Sequence, residues 1–291
     1  MATHYVAREL LALGHDVRQV PPAYAKPFRQ GHKNDFRDAY AIAEAVLRPS
    51  TRCVPVKTDD QLDLQALHRV RSRLVGQRTA VINQIRSFLL ERGIAVRQGP
   101  RFLRQRLPEI LAKRVDVLSP RMIAIVEDLS DDWRRLDERV ERVTEEIEQL
   151  AHGSESCRQL MTVPGIGPIT ALRYRATIDD PTRFKKSRSV GAYAGLTTRR
   201  YASGEIDWTG RISKCGDAML RSYLYEAANV LLTRVAKWSA LKSWGMRVAK
   251  RSSLRKAKVA VARKLAVILH RMWVDDTEFK WSSKEIAPQI A

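Results

Sequence analysis

Nine apolar residues, Met122, Val126, Leu129, Trp133, Leu136, Val140, Val143, Ile147 and Leu150, follow one another at alternating intervals of four and three. An α-helix returns residues to one face at that rhythm. About four unbroken heptads make a rod on the order of 40 Å long at 1.5 Å per residue. Most of the remaining positions are Asp, Glu or Arg, so the rod has a single apolar seam that must be covered. Either the helix expected over residues 62–90 of the same chain covers it, or a second copy does, making a homo-oligomer through a coiled coil. His152-Gly153-Ser154 ends the rod and predicts the main domain boundary.

The flanks of the rod are basic. The formal net charge is +20 over 291 residues, with a pI near 10.3. Between Arg183 and Arg271 there are 21 lysines and arginines against four acids, and between Leu64 and Arg106 ten arginines against Glu91 alone. Surfaces so charged repel themselves until a polyanion neutralises them, which points to nucleic acid. A membrane is the weaker partner. No apolar run approaches the roughly 20 residues a spanning helix needs, and Met1-Ala-Thr-His4 is no signal peptide. Cys53, Cys157 and Cys215 are odd in number and scattered, which argues for a reducing compartment and against both disulfides and a zinc site. The six histidines show no ligand spacing.

Residues 2–14 read as the end of a helix capped by Gly14, followed by a short strand over Asp16–Val20 that Pro21-Pro22 stops. A helix is expected from Asn34 or Asp35 to Leu47, closed by Pro49. Asp35 and Asp38 share a face of its first turn. Two readings fit them: acids that complement the helix dipole, or a carboxylate pair that helps hold Mg²⁺. A second strand is expected at Cys53–Val56, then the helix from Leu62 to about Leu90, capped by Asp59, with core positions Leu64, Leu67, Leu74, Val81, Ile85 and Phe88. Its other faces carry Arg69, Arg71, Arg73, Arg78 and Arg86, almost unopposed, which favours a phosphate-contacting face.

Beyond the rod, Val163-Pro164-Gly165-Ile166-Gly167-Pro168 has the form of a helix-hairpin-helix, whose N–H groups at Gly165 and Gly167 would bind a DNA phosphate. An ordinary Gly-Pro turn is the alternative. Residues 182–196 read as a second helical unit ending at Gly195. A polar loop over 197–216 then feeds the helix 218–236, with Asp217 in the N-cap position. Ser213 lies just ahead of that helix, among Arg211, Lys214 and Arg221, so a hydroxyl there faces a phosphate. A serine in such a place is otherwise a capping residue. Cys215 reads as a small buried filler and Trp238, Trp244 and Trp273 as core anchors. A basic helix is expected around 250–273, and a loosely ordered tail beyond 275.

Taken in order, three motifs resemble the DEDD-type transposases of bacterial insertion sequences (the insertion-sequence one-ten group), recombinases that work with a structured guide or bridge RNA. The first is Lys33-Asn34-Asp35-Phe36-Arg37-Asp38-Ala39. The second is the 163–168 turn followed by Arg183-Phe184 and Tyr193-Ala-Gly-Leu196. The third runs from Ser203-Gly204 through Arg211-Ile-Ser213-Lys-Cys-Gly216-Asp to Leu220-Arg221. The resemblance covers His4 to about Ala266 and implies a mainly α chain with a small α/β part. Its parts would be a RuvC-like (RNase-H-fold) domain over 1–106, a coiled-coil spacer over 107–153, a C-terminal transposase domain over 154–275 and a tail over 276–291.

Carried over residue by residue, the resemblance makes Asp35 and Asp38 the last two metal-binding acids and Ser213 the catalytic serine. It implies Mg²⁺-assisted serine attack on DNA, with a covalent DNA–protein intermediate. DNA, a guide RNA and further copies of the chain are the implied partners, in the cytoplasm at the nucleoid. The family's first Asp and its Glu lie on strands upstream of Met1, so the resemblance also implies an N-terminally truncated RuvC-like domain with impaired catalysis. The alternative is a non-catalytic nucleic-acid-binding remnant.

Overall fold

The computed structural model describes residues 3–113 and 116–282. The chain divides between Leu62 and Asp63 into two compact units.

The first unit is built from short helices. Helix α1 (Thr3–Ala12) ends at Gly14, whose φ of +85° suits glycine, with the His15 N–H returning to the Leu10 carbonyl at 3.0 Å. Helix α2 (Pro22–Ala25) runs into a single 3-10 turn, and α3 (Asp35–Leu47) follows. Asn34, rather than Asp35, caps α3, its side chain accepting from the Arg37 N–H at 2.8 Å. The two expected strands are reduced to one antiparallel bridge, Gln19 to Val54. Pro21, Pro22 and Pro55 remove donors on either side of it, so no ladder can extend. The only apolar side chains buried in this unit, among the described residues, are Ala7, Ala41 and Ala45.

Helix α4 (Asp59–Leu90) starts at the end of the first unit and continues into the second. Thr58 caps it, its hydroxyl accepting from the Gln61 N–H at 3.2 Å, and Asp59 lies inside the helix. Helices α5 (Pro100–Lys113) and α6 (Pro120–Gly153) follow, the latter capped by Ser119 with Pro120 at its first position. The heptad seam forms as a helix, but its buried residues are every seventh one, Val126, Trp133, Val140 and Ile147, followed by Ala151. Leu150 is exposed.

Of the two expected covers for that seam, the chain's own α4 lies along its buried positions. Arg71 Nε donates to Thr144 Oγ1 at 2.8 Å, and Arg78 pairs with Asp137 at 3.1 Å. Seven residues forward on α4 are thus seven back on α6, which makes the two helices antiparallel. Ile82, Ile85 and Leu89 of α4 and Leu103, Leu107 and Ile110 of α5 share one core with Val126 and Trp133. Position 106, expected as a domain boundary, falls inside α5.

The other core of this unit gathers α7 (Glu155–Met161), α8 (Pro168–Ile178), α9 (Arg188–Tyr193), α10 (Ala218–Thr233), α11 (Ala240–Arg251) and α12 (Leu254–Asp275). Helix α12 runs through it, burying Val261, Leu265, Ala266 and Leu269. Helix α8 is buried nearly all round, and Tyr174 donates its hydroxyl to the Ala266 carbonyl at 2.8 Å. Trp244 and Trp273 pack against this core, whereas Trp238 is 63% exposed and is no core anchor. The start of the expected loose tail is docked instead. The Phe279 N–H reaches Thr162 Oγ1 at 3.1 Å, and the Trp281 carbonyl accepts from Ala240 at 3.0 Å. The rest of that tail, 283–291, lies outside the described residues.

The described residues hold one sheet, and it is not near the N-terminus, where the small α/β part was expected. Strands β1 (Thr198–Ser203) and β2 (Ile206–Ile212) pair antiparallel within the stretch expected to be a loop.

Candidate functional site

Ser213 sits at the foot of the β1–β2 hairpin. Ser203 pairs with Ile206, leaving Gly204-Glu205 as a two-residue turn with Gly204 at φ +55°, the form that matches strand twist. Below the tip, Tyr201 pairs with Trp208 and Arg200 with Thr209, and a bulge follows. The hairpin then closes on the core, the Ser213 N–H donating to the Thr197 carbonyl at 2.8 Å and the Lys214 N–H to the Gly195 carbonyl at 3.1 Å.

The turn from 213 to 217 is held by close backbone contact. Lys214 adopts φ +56°, an uncommon conformation for a residue with a side chain. Gly216 has φ +78°, and a Cβ there would fall 2.0 Å from the Tyr193 carbonyl oxygen. Gly195 has φ +69°, and its Cβ would meet the Cys215 carbonyl oxygen at the same distance. Only glycine fits at either place. Asp217 caps α10 as expected, accepting from the Leu220 N–H at 2.6 Å. Ser213 itself is half-buried, and its hydroxyl accepts a long bond from the Cys215 N–H at 3.4 Å, which leaves the oxygen largely uncommitted. Cys215 is exposed, not a buried filler, because the turn holds it outside the core.

The expected cations divide into two kinds. Arg211 and Lys214 are exposed beside Ser213. Arg221 instead ties the turn together, donating to the Ala194 and Cys215 carbonyls at 3.1 Å each. The sequence reading missed Arg199, whose guanidinium donates to the Ser213 carbonyl at 3.3 Å. It also missed the support beneath Asp217. Arg173, buried to 1% exposure on α8, pairs with the Asp217 carboxylate, and its Nε and Nη1 have no other partner among the described residues. His68 on α4 is fully buried in the same region, with neither ring nitrogen hydrogen-bonded. Burial, aided by the charges of Arg173 and Arg71, pushes the His68 pKa down to about 4, so the imidazole is neutral at physiological pH.

The glycines of the 163–168 turn have distinct reasons. The turn joins α7 to α8, and Gly165 has φ +92° with its missing Cβ 2.6 Å from the Ala227 carbonyl oxygen on α10. Close helix packing thus explains Gly165 without a ligand. Gly167 is exposed in the N-cap position of α8, with open space where a side chain would go.

The arginine face of α4 is also partly spent internally. Arg71 and Arg78 bind α6, and Arg86 donates to the Val96 and Arg97 carbonyls at 2.6 and 2.7 Å. Arg69 and Arg73 remain exposed. In the first unit Asp35 is the exposed first residue of α3, and Asp38, half-buried one turn on, pairs with Arg29 at 3.4 Å. Two carboxylates on one helix turn suit Mg²⁺, which takes one or two such ligands and fills its shell with water and phosphate oxygens. Arg29 would compete for one of them. Among the described residues, no three His, Cys, Asp or Glu side chains gather into a metal cluster. No helix among them is long and apolar enough to cross a membrane.

A hydroxyl at the foot of a basic hairpin, on a chain of net charge +20, defines a protein that handles a polyanion. Comparison with known proteins names the polyanion's class. Residues 157–244 match a family model described as the transposase IS116/IS110/IS902 family, and residues 3–93 match the DEDD transposase model of the IS110 group. The chain is 37% identical over 281 residues to a Pseudomonas aeruginosa protein called "Probable family 20 transposase", covering 96% of this chain and 83% of that one. The transposase for insertion sequence element IS1111A of Coxiella burnetii is 37% identical over 269 residues, covering 92% and 74%. That for IS1328 of Yersinia enterocolitica is 36% identical over 276 residues, covering 94% and 81%. The chain belongs to the IS116/IS110/IS902 family of transposases, and it is accordingly an enzyme of DNA transposition.

Proposed function

We propose that the chain cleaves and rejoins DNA strands through a covalent intermediate on Ser213. The observation that carries this reading is the placement of the Ser213 hydroxyl: half-buried, weakly engaged, fixed by a glycine-pinned turn and flanked by Arg199, Arg211 and Lys214. In the reaction Ser213 Oγ forms a bond to phosphorus as one phosphorus–deoxyribose oxygen bond breaks. The serine proton passes, in net, to the departing oxygen. Attack by a second strand's hydroxyl reverses the exchange and frees the serine. The neighbouring cations favour negative charge building on the phosphate oxygens. Arg173, Asp217 and Arg221 touch no substrate in this scheme; they hold the turn.

Asp35 and Asp38 are the residues that would hold a divalent cation, Mg²⁺ by the chemistry of their oxygens. Bound there, it supplies Lewis-acid charge for phosphate oxygens. Exposed Gly167, Arg69 and Arg73 are candidates for further backbone contacts on DNA. The resemblance adds a guide RNA and assembly into more than one copy.

The test is a denaturing gel of the full chain with end-labelled insertion-end DNA, guide RNA and Mg²⁺. A labelled protein band is expected with the parent and with Cys215→Ser, and none above background in Ser213→Ala, since removing a nucleophile costs on the order of 10⁶ in rate. An adduct undiminished in Ser213→Ala overturns the assignment.

A further inference from the structure

The hairpin carries more than it needs in order to fold. The Tyr201 and Trp208 rings stack across its strands, centroids 4.4 Å apart and planes 18° from parallel. They remain 46% and 54% exposed, on an arm whose residues are otherwise almost all open to solvent. Gly210 lies against the stack: a Cβ there would sit 3.1 Å from the Trp208 ring, which would have to give by a few tenths of an ångström. On the opposite side, Arg200 holds Asp207 in a two-point ion pair at 2.8 and 2.6 Å, a second cross-strand link besides the aromatics. The aromatic pair is therefore not required as the only staple. Arg199 falls on the same face of β1 as Tyr201, and its guanidinium reaches the Ser213 carbonyl.

A flat ring with one face taken by a second ring, on the Arg199 face of an arm that rises from the Ser213 turn, suits a nucleobase more than any protein surface. A base has a π-face of matching size, and its phosphate matches the arginines. Bases are available for stacking only where pairing is broken. We propose that Trp208, backed by Tyr201, is a stacking platform for an unpaired DNA base beside the strand that Ser213 attacks. This inference rests on the DNA-handling reading of the C-terminal unit, and not on Ser213 being the nucleophile.

The test is fluorescence anisotropy of the full chain with two short DNAs of one sequence, one fully paired and one with a three-nucleotide bubble. The parent is expected to prefer the bubble by about tenfold, the order one stacked base supplies. Trp208→Ala is expected to bring the two affinities within about twofold of each other, by weakening the bubble complex alone. Trp208→Phe is expected to keep most of the preference. Equal preference in Trp208→Ala and the parent overturns the platform and leaves the Ser213 reading intact. So does an affinity loss in Trp208→Ala that is equal for both DNAs, since that marks a damaged hairpin. A parent that prefers an RNA bubble of the same sequence, or a Trp208→Ala change in oligomer mass without a change in DNA binding, overturns the occupant. A parent that binds neither DNA overturns the DNA reading together with the platform.

Discussion

The two units of this chain spend their apolar residues in opposite ways. From Asp63 onward, helices α8, α10 and α12 bury leucine, isoleucine and valine against one another, and α4, α5 and α6 build a second such core. Before that point the buried apolar residues, among those described, are all alanines, while Leu13, Phe36 and Leu47 are 75%, 89% and 75% exposed. A buried methyl is worth far less than a buried leucine. Stability should therefore reside in the second unit, and the first should open locally at lower cost. Polar groups divide the same way, since buried Arg173 with half-buried Asp217 belongs to the second unit, and half-buried Arg8 with exposed Asp59 to the first. The difference teaches that the Ser213 turn is mounted on the rigid part of the chain.

Matched substitutions test that contrast. Asp217→Ala leaves the buried Arg173 without its counter-ion and removes the α10 cap, so unfolding in urea should show a loss of about 3–5 kcal/mol. Its counterpart Asp59→Ala should cost no more than about 1 kcal/mol. Equal effects would break the comparison. Leu265→Ala, at a fully buried position, should cost about 3 kcal/mol. Ala45→Gly, the corresponding loss in α3, should cost about 1 kcal/mol, mostly through helix propensity.

A further contrast depends on pH. The folded pKa of His68, about 4, lies below its ordinary value of 6.5, so as pH falls the unfolded chain takes up the proton first. Stability from this group is complete above pH 6.5 and falls between 6.5 and 4, by up to about 3 kcal/mol. His68→Gln should flatten that slope. His4, half-buried in the first unit and lowered mainly by burial, should contribute much less of it. A slope unchanged in His68→Gln would move the pH response elsewhere.

Helices were the legible part of the fold, because 3.6-residue periodicity and capping residues are local signals. The α6 seam, the Asn34 and Asp217 caps and the stop at Gly14 could all be read from neighbouring residues. What covers the α6 seam could not, since an a/d stripe is the same whether the partner is α4 or another copy. The hairpin was missed for a different reason. Tyr201, Ile206 and Trp208 are apolar residues that face solvent, and a pattern sought for burial reads them as loop. The Ser-Gly-Glu turn between alternating side chains was the signal that could have revealed them. The motif set Ser213, Arg211 and Lys214 in one turn ahead of α10, which is where the structure has them. It did not reveal that Arg221 binds carbonyls or that Gly165 exists for α10, because both depend on elements distant in sequence.

The most direct measurement is mass spectrometry of the trapped DNA adduct after nuclease and trypsin digestion. Cleavage after Arg211 and Lys214 releases the peptide Ile212-Ser213-Lys214. The nucleotide mass is expected on that peptide, with fragmentation placing it on Ser213. The same mass on a peptide that lacks Ser213 would contradict the assignment.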